Sequence, residues 1–227
     1  MMSSLMMPKN RVVVFDLDDT LYKEVAFLKS AYREIAEWAE RECDCPSDIY
    51  EKMMFWRKER ENVFVKLITE YNLKVSVDDL LTMYRCHIPK YQLDEQTQSV
   101  LSQLKQLCVL GLITDGRSLT QRNKIKALAL DTIFDESNVL ISEETGFEKP
   151  SVEPFRYFMR QYPQYQYYYV GDNPTKDFFA PNSLGWETIC ILDDGQNIHQ
   201  QCFDLDTDYL PKYRINTIAE LIDIIDR

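Results

Sequence analysis

The sequence predicts an α/β protein: a parallel sheet wrapped by helices, with a helical insertion directly after the first strand. Short apolar runs recur with helical stretches between them (RVVVFDLD, QLCVLGLITD, SNVLISEE, QYYYVGD and WETICILDD), the pattern of β-α alternation. One gap, from Tyr22 to about Gln96, is too long for a single crossover; it contains no glycine and keeps a helical period throughout. All 6 glycines lie at Gly111 or later, so the two regions differ in kind.

The first run, Val12 to Phe15, is apolar at every position, as expected of a central strand buried on both faces. It ends in three carboxylates, Asp16, Asp18 and Asp19, which crowd and repel unless a cation, a proton or a reaction uses them. The insertion follows as VAFLKSAYREIAEWAERE, IYEKMMFWRKERENVFVKLITEY and VDDLLTMYRCHI, three or more helices broken near CDCPSD and NLKVS. TQSVLSQLKQL leads into the second strand and SLTQRNKIKALAL follows it. After the third strand, Pro150 signals a helix start for VEPFRYFMRQY. NPTKDFFAPNSLG reads as a helix that Pro181 should end or kink, and TIAELIDIID as the last one. The division is then a core of residues 1–21 and 97–227 and an inserted domain of residues 22–96.

With 227 residues, 45% hydrophobic and 28% charged, the chain can bury a substantial core and lacks the signature of disorder. A formal net charge of -11 argues against nucleic acid or an anionic membrane as partner, since both need surplus Lys and Arg. MMSSLMMPKN lacks the pattern of a targeting segment and no run reaches the length of a membrane span, so the expectation is a cytoplasmic protein, monomeric or a simple homo-oligomer. The scattered cysteines, without a CxxC pair, read as reduced and mostly buried thiols.

In an open parallel sheet, ligands bind beyond the carboxyl ends of the strands. Those ends read DLDDT, ITDG and GDNPTKD, and Lys149 in EKPSVEPF joins them after the third strand. One lysine among several acids suits phosphoryl chemistry: the lysine offsets charge on the transferring group, and carboxylates hold Mg²⁺ through hard oxygen ligands.

These four motifs, in order, resemble the haloacid dehalogenase superfamily of phosphohydrolases, and the likeness spans essentially the whole chain. The resemblance implies a Rossmann-like core and a small helical cap, the insertion, with no room for a larger cap between Asp115 and Lys149. It implies Asp16 as nucleophile forming an aspartyl phosphate, and Asp18 as general acid and base. Thr114, Lys149, Gly116 and the backbone amides of Leu17 and Asp115 would bind the phosphoryl group. Mg²⁺ would be held by Asp16, the Asp18 backbone carbonyl and Asp172, with Asp177 outside the ligand shell and holding Lys149. Asp18 favours phosphate transfer over dehalogenation, because a halide leaves without a proton. Asp19 should leave the strand end on the opposite side and stay outside the chemistry.

The expected activity is a Mg²⁺-dependent phosphatase for a small phosphorylated metabolite, a sugar phosphate or nucleoside monophosphate. The alternatives are a phosphomutase of the same superfamily and a non-catalytic regulatory protein that binds a phospho-ligand. One departure is Asp115, where related small-cap phosphatases commonly carry Asn; Arg117 is the expected partner of its carboxylate, or else reaches a distal group of the substrate. Phe55, Trp56, Arg57, Lys58 and Arg60 read as the two faces of an amphipathic helix, and His87 and His199 as structural.

Overall fold

The computed structural model describes residues 10–226; residues 1–9, on which the reading of the amino terminus rests, and Arg227 lie outside the described residues. Six parallel strands form one sheet: β1 (Arg11–Phe15), β2 (Val109–Thr114), β3 (Val139–Ile141), β4 (Gln166–Gly171), β5 (Glu187–Ile191) and β6 (Tyr213–Ile215). Their spatial order, β3-β2-β1-β4-β5-β6, puts β1 between β2 and β4 in a Rossmann-like arrangement. Phe15 pairs with Leu112 on one side and Val170 on the other. That register brings the ends of β1, β2 and β4 to one edge.

Helices α1 (Glu24–Cys43), α2 (Ile49–Lys58), α3 (Val63–Tyr71) and α4 (Val77–Cys86) fill the gap after β1, and α5 (Glu95–Leu107) leads into β2. Then come α6 (Ser118–Ala127), α7 (Ser142–Thr145), α8 (Glu153–Gln161), α9 (Phe179–Ser183) and α10 (Leu221–Ile225).

Alternate residues of β1 enter different cores because side chains alternate across a strand. Val13 and Phe15 join Leu101 and Leu104 of α5, Ile125 of α6 and Leu221 of α10. Val12 and Val14 join Phe155 and Phe158 of α8, Tyr169 and Trp186. Gly111 permits the second packing: a Cβ there would lie 2.4 Å from the Phe158 ring.

The insertion has a core of its own, in which Leu28, Tyr32 and Ile35 of α1 meet Met53 and Trp56 of α2, Leu67 of α3 and Leu80 of α4. Lacking glycine, it ends α1 and α3 on left-handed Asp44 (φ 54°) and Asn72 (φ 48°), two residue types that tolerate this conformation. Its two connections to the sheet meet where Tyr22 and Tyr91 stack, ring centroids 5.5 Å apart. Both rings pack on the sheet's core, as does Leu93.

Two details refine the sequence reading and one, the helix expected from Asn173, differs from it. The stretch IYEKMMFWRKERENVFVKLITEY is two helices, with Arg60 (φ 59°) between them. The helix expected from Asn173 begins only at Phe179, so Pro181 lies in a first turn, where its missing N–H costs no intrahelical bond. The helix read as VEPFRYFMRQY is found at Glu153–Gln161, with Val152 as its N-cap and Pro154 in its first turn. Strand β6 had no sequence signal. Cys43, Cys45, Cys86, Cys190 and Cys202 are free thiols, but among the described cysteines only Cys108 and Cys190 are buried; Cys86 and Cys202 are exposed. No helix among the described residues is long and apolar enough to cross a membrane.

Candidate active site

Asp16 follows β1, and its amide donates to the Val170 carbonyl at 2.8 Å, which seats it between β2 and β4. Its Oδ1 accepts from Lys149 Nζ at 2.6 Å, and the same ammonium donates to Asp177 Oδ1 at 2.7 Å and to the Tyr169 hydroxyl at 3.1 Å. Asp177 spends its other oxygen on the backbone N–H groups of Asp172 (3.1 Å) and Asn173 (2.8 Å). Gly171 is required for this approach: a Cβ there would lie 2.6 Å from Asp177 Oδ2.

Oxygens of Asp16, Asp172 and Asp177 lie within 4.8 Å of one another in this buried corner. Burial and the neighbouring carboxylates push Asp16 up to about 7 despite Lys149, and push Asp172 up to about 9. Burial alone would lower Lys149, but Asp16 and Asp177 raise it well above the usual lysine range. One ammonium, bonded to two carboxylates, thus stands among three, an oxygen set that fits a hard divalent cation. Asp177 already accepts on both oxygens, so Asp16 and Asp172 are the side chains with capacity left for a metal.

Asp18 occupies a different environment. Lys124 of α6, only 3% exposed, donates to its Oδ1 at 2.7 Å, and Gln121 Nε2 donates to its Oδ2 at 2.9 Å. The Tyr22 hydroxyl also donates to Oδ1. Burial works to raise Asp18, but Lys124 and these donors hold it below the ordinary carboxylate range. The Lys124 ammonium lies over the rings of Phe27 (4.7 Å) and Tyr22 (5.8 Å), residues of the insertion and its entry. Gln121 also donates to Thr114 Oγ1 at 2.5 Å, which leaves the threonine hydroxyl proton for another acceptor.

Asp115 is not held by Arg117, contrary to expectation. Its Oδ1 accepts from the Lys149 backbone N–H at 3.1 Å and its Oδ2 lies 3.4 Å from Lys176 Nζ. Arg117 points elsewhere and pairs with Glu143 at 2.5 Å, because α7 brings that carboxylate beside the start of α6. The Gly116 amide donates to Ser142 Oγ at 3.0 Å, and the Leu17 side chain is buried in the sheet's core.

Asp19, expected on the opposite side, lines the same cleft as Asp16 and Asp18; in the left-handed region (φ 57°), it spends its oxygens on the backbone N–H groups of Glu24 (2.8 Å) and Ile198 (2.9 Å). His87 bonds to Glu34 and Ser30 within the insertion. His199, read as structural, instead lines the cleft of about 120 Å³ above Asp16, together with Glu24, Asn173 and Lys176. Burial and nearby Asp18 push Glu24 up to about 7. Sequence reading missed Lys124, Gln121, Tyr22, Glu24 and Lys176. Gln121 and Lys124 share a helix face by their spacing, but so do many pairs on amphipathic helices.

Residues 13–191 match the family described as haloacid dehalogenase-like hydrolases. The chain belongs to this family. Glyceraldehyde 3-phosphate phosphatase of Methanocaldococcus jannaschii is 28% identical over 226 residues, covering 94% of this chain and 96% of the relative. The HAD-hydrolase YfnB of Bacillus subtilis is 26% identical, covering 97% of each chain. A magnesium-bound crystal structure of YfnB shares the fold, with a TM-score of 0.70 at 24% identity over 96% of this chain and 99% of that one. A β-phosphoglucomutase from Thermotoga maritima shares it with a TM-score of 0.63 at 16% identity, covering 95% and 98%. This HAD-like hydrolase is a phosphatase of phosphate monoesters, as several of its curated relatives are named.

Proposed function

We propose that this phosphatase acts on a small phosphorylated metabolite of the sugar-phosphate or nucleoside-monophosphate class, through an aspartyl phosphate on Asp16. The observation that carries the reading is the pairing of Asp16 with Lys149 at 2.6 Å, two residues from a second carboxylate held by its own lysine. The reading is further supported by relatives named for glyceraldehyde 3-phosphate, a sugar phosphate.

Asp16 attacks phosphorus in line, and the bond from phosphorus to the ester oxygen breaks as the new one forms. Lys149 balances charge on the attacking carboxylate and on the phosphoryl oxygens, and Asp177 and Tyr169 fix its ammonium. The Thr114 hydroxyl, freed by Gln121, donates to a phosphoryl oxygen together with the amides of Leu17 and Asp115. Asp18, which Lys124 holds as a carboxylate, takes up the proton of the incoming monoanionic phosphate ester and passes it to the departing alkoxide, then accepts a proton from the water that attacks the aspartyl phosphate and regenerates Asp16. Mg²⁺, held by Asp16, Asp172 and the Asp18 backbone carbonyl, would neutralise phosphoryl charge beyond what one lysine can offset. Asp177 supports Lys149 from outside that ligand set. A cytoplasmic location accords with the free thiols of Cys43, Cys45, Cys86, Cys190 and Cys202.

The test is a Mg²⁺-dependent screen of phosphorylated metabolites beside Asp16→Asn. Phosphate release from a small monoester, abolished in the variant, is the expected result. Undiminished release in Asp16→Asn would sink the nucleophile assignment, and isomerisation of a sugar phosphate without release would establish a mutase.

A further inference from the structure

Between the insertion and the sheet domain runs a groove of about 640 Å³, against about 120 Å³ for the cleft over Asp16. Its walls carry Lys29 from α1, Arg57 and Lys58 from the end of α2, and Arg60 from the turn beyond it. The acid in its lining is Glu61, which Lys66 occupies at 2.5 Å. Among the described residues, none of the four cations has a carboxylate within ion-pair distance, although the chain carries a net charge of -11.

A plain structural account covers part of this. Basic residues in the last turn of a helix are favoured by its dipole, which suffices for Arg57 and Lys58. It does not account for Lys29 on another helix, nor for Arg60, which lies past the helix in the left-handed region. Four like charges facing one concave space repel unless an anion enters it.

The groove adjoins the cleft through shared chain. Val25 and Ile198 line the groove, and their neighbours Glu24 and His199 line the cleft. Asn197, also in the groove wall, donates to Asp172 Oδ2 at 3.0 Å. The cleft has room for little more than a phosphoryl group, so the alcohol portion of a bound ester must extend into adjoining space.

We propose that this groove receives the alcohol portion of the substrate and that the substrate is a phosphomonoester carrying a second anionic group, a carboxylate or another phosphate, bound by Lys29, Arg57, Lys58 and Arg60. The assignment rests on the phosphatase reading above and narrows it. The second charge is recognised at a distance from the reacting phosphorus, so it contributes to binding and to orientation.

The experiment compares matched pairs, glycerol 3-phosphate with 3-phosphoglycerate and fructose 6-phosphate with fructose 1,6-bisphosphate, by Mg²⁺-dependent phosphate release. The wild type is expected to favour the more anionic member of at least one pair by about tenfold or more in kcat/KM. The pair that shows it distinguishes a carboxylate from a second phosphate. In Lys29→Gln/Lys58→Gln/Arg60→Gln, all at exposed positions, and separately in Arg57→Gln, that ratio should fall toward one through a raised KM for the charged member. No preference in either pair, or a ratio that survives both variants, would overturn the groove assignment. A general folding defect slows both members alike, preserves the ratio, and so counts against it. p-Nitrophenyl phosphate separates the two readings: its hydrolysis alongside indifferent pairs condemns the groove alone, whereas no release from any compound removes the phosphatase reading as well.

Discussion

Asp16 and Asp18 are separated by one residue, and each bonds to a buried lysine, yet their surroundings differ in charge balance. Around Asp16, Lys149 is shared with Asp177 while Asp172 stands close by, and two of the three carboxylates are pushed far above their ordinary values. Around Asp18, Lys124 serves one carboxylate with help from two neutral donors, and the carboxylate is held low. The first pocket is short of positive charge and is built on strand ends of the sheet. The second is complete within the chain and is built from α6 and the entry to the insertion. Asp16, the proposed nucleophile, is therefore arranged to take up a cation, and Asp18, the proposed proton-transfer group, is not.

The largest effect that can break this comparison is removal of the charge of Asp16. Asp16→Asn should lower kcat by about 10³-fold or more at saturating substrate, with the fold intact by circular dichroism. Activity near wild type would remove Asp16 from the centre of the site.

Lys124→Met probes the other pocket. It leaves Asp18 buried without its ammonium partner, and kcat should fall by about 10- to 100-fold, with little change in KM. With p-nitrophenyl phosphate, whose leaving group needs no proton, hydrolysis of the aspartyl phosphate should become limiting and give a burst of nitrophenolate. Proportional losses on alkyl and aryl phosphates without a burst would reduce Lys124 to a structural contact.

A third prediction concerns pH. Asp16 and Asp172 are carboxyls raised from 3.8 to about 7 and about 9, so between roughly pH 4 and pH 9 the folded chain binds more protons than the unfolded one. Without metal, stability should therefore decline as pH rises through that window. Mg²⁺ replaces those protons, so its increment in Tm should be larger at pH 8.5 than at pH 5.5, measured by calorimetry against EDTA. Equal increments at both values would show that the acidic corner is not where the ion acts.

The smallest expected effect is at Asp19. Asp19→Ala removes two backbone acceptor bonds and should cost about 1–3 kcal/mol in urea unfolding, more than the ~1 kcal/mol of a single cap. A loss of turnover comparable with that of Asp16→Asn would instead place Asp19 in the reaction.

The strands, the insertion and the acids at the strand ends could be read from the sequence because each leaves a local mark. An apolar run ending in DLDDT or GDNPTKD carries its own context. Strand β6 is three residues, YRI, too short for a period to show. The helix expected at Asn173 starts late because Asp177 draws the amides of Asp172 and Asn173 into a turn instead. Lys124 was illegible because a lysine on an amphipathic helix is ordinarily solvated; only the return of Tyr22 and Phe27 over α6 buries it. Asp115 could not be matched to Lys176, since that contact joins two strand ends far apart in sequence. Arg117, nearer along the chain, was the wrong choice for the same reason.

The third aspartate of the opening run has a practical consequence. Asp19 ties the first turn of α1 to the loop after β5, so the insertion is moored by a side chain at its point of departure. A domain graft that exchanges these four helices for another bundle must therefore splice after Glu24 and keep a free backbone N–H there. A graft that placed proline at position 24 would cut the mooring and leave one oxygen of a buried carboxylate without its donor.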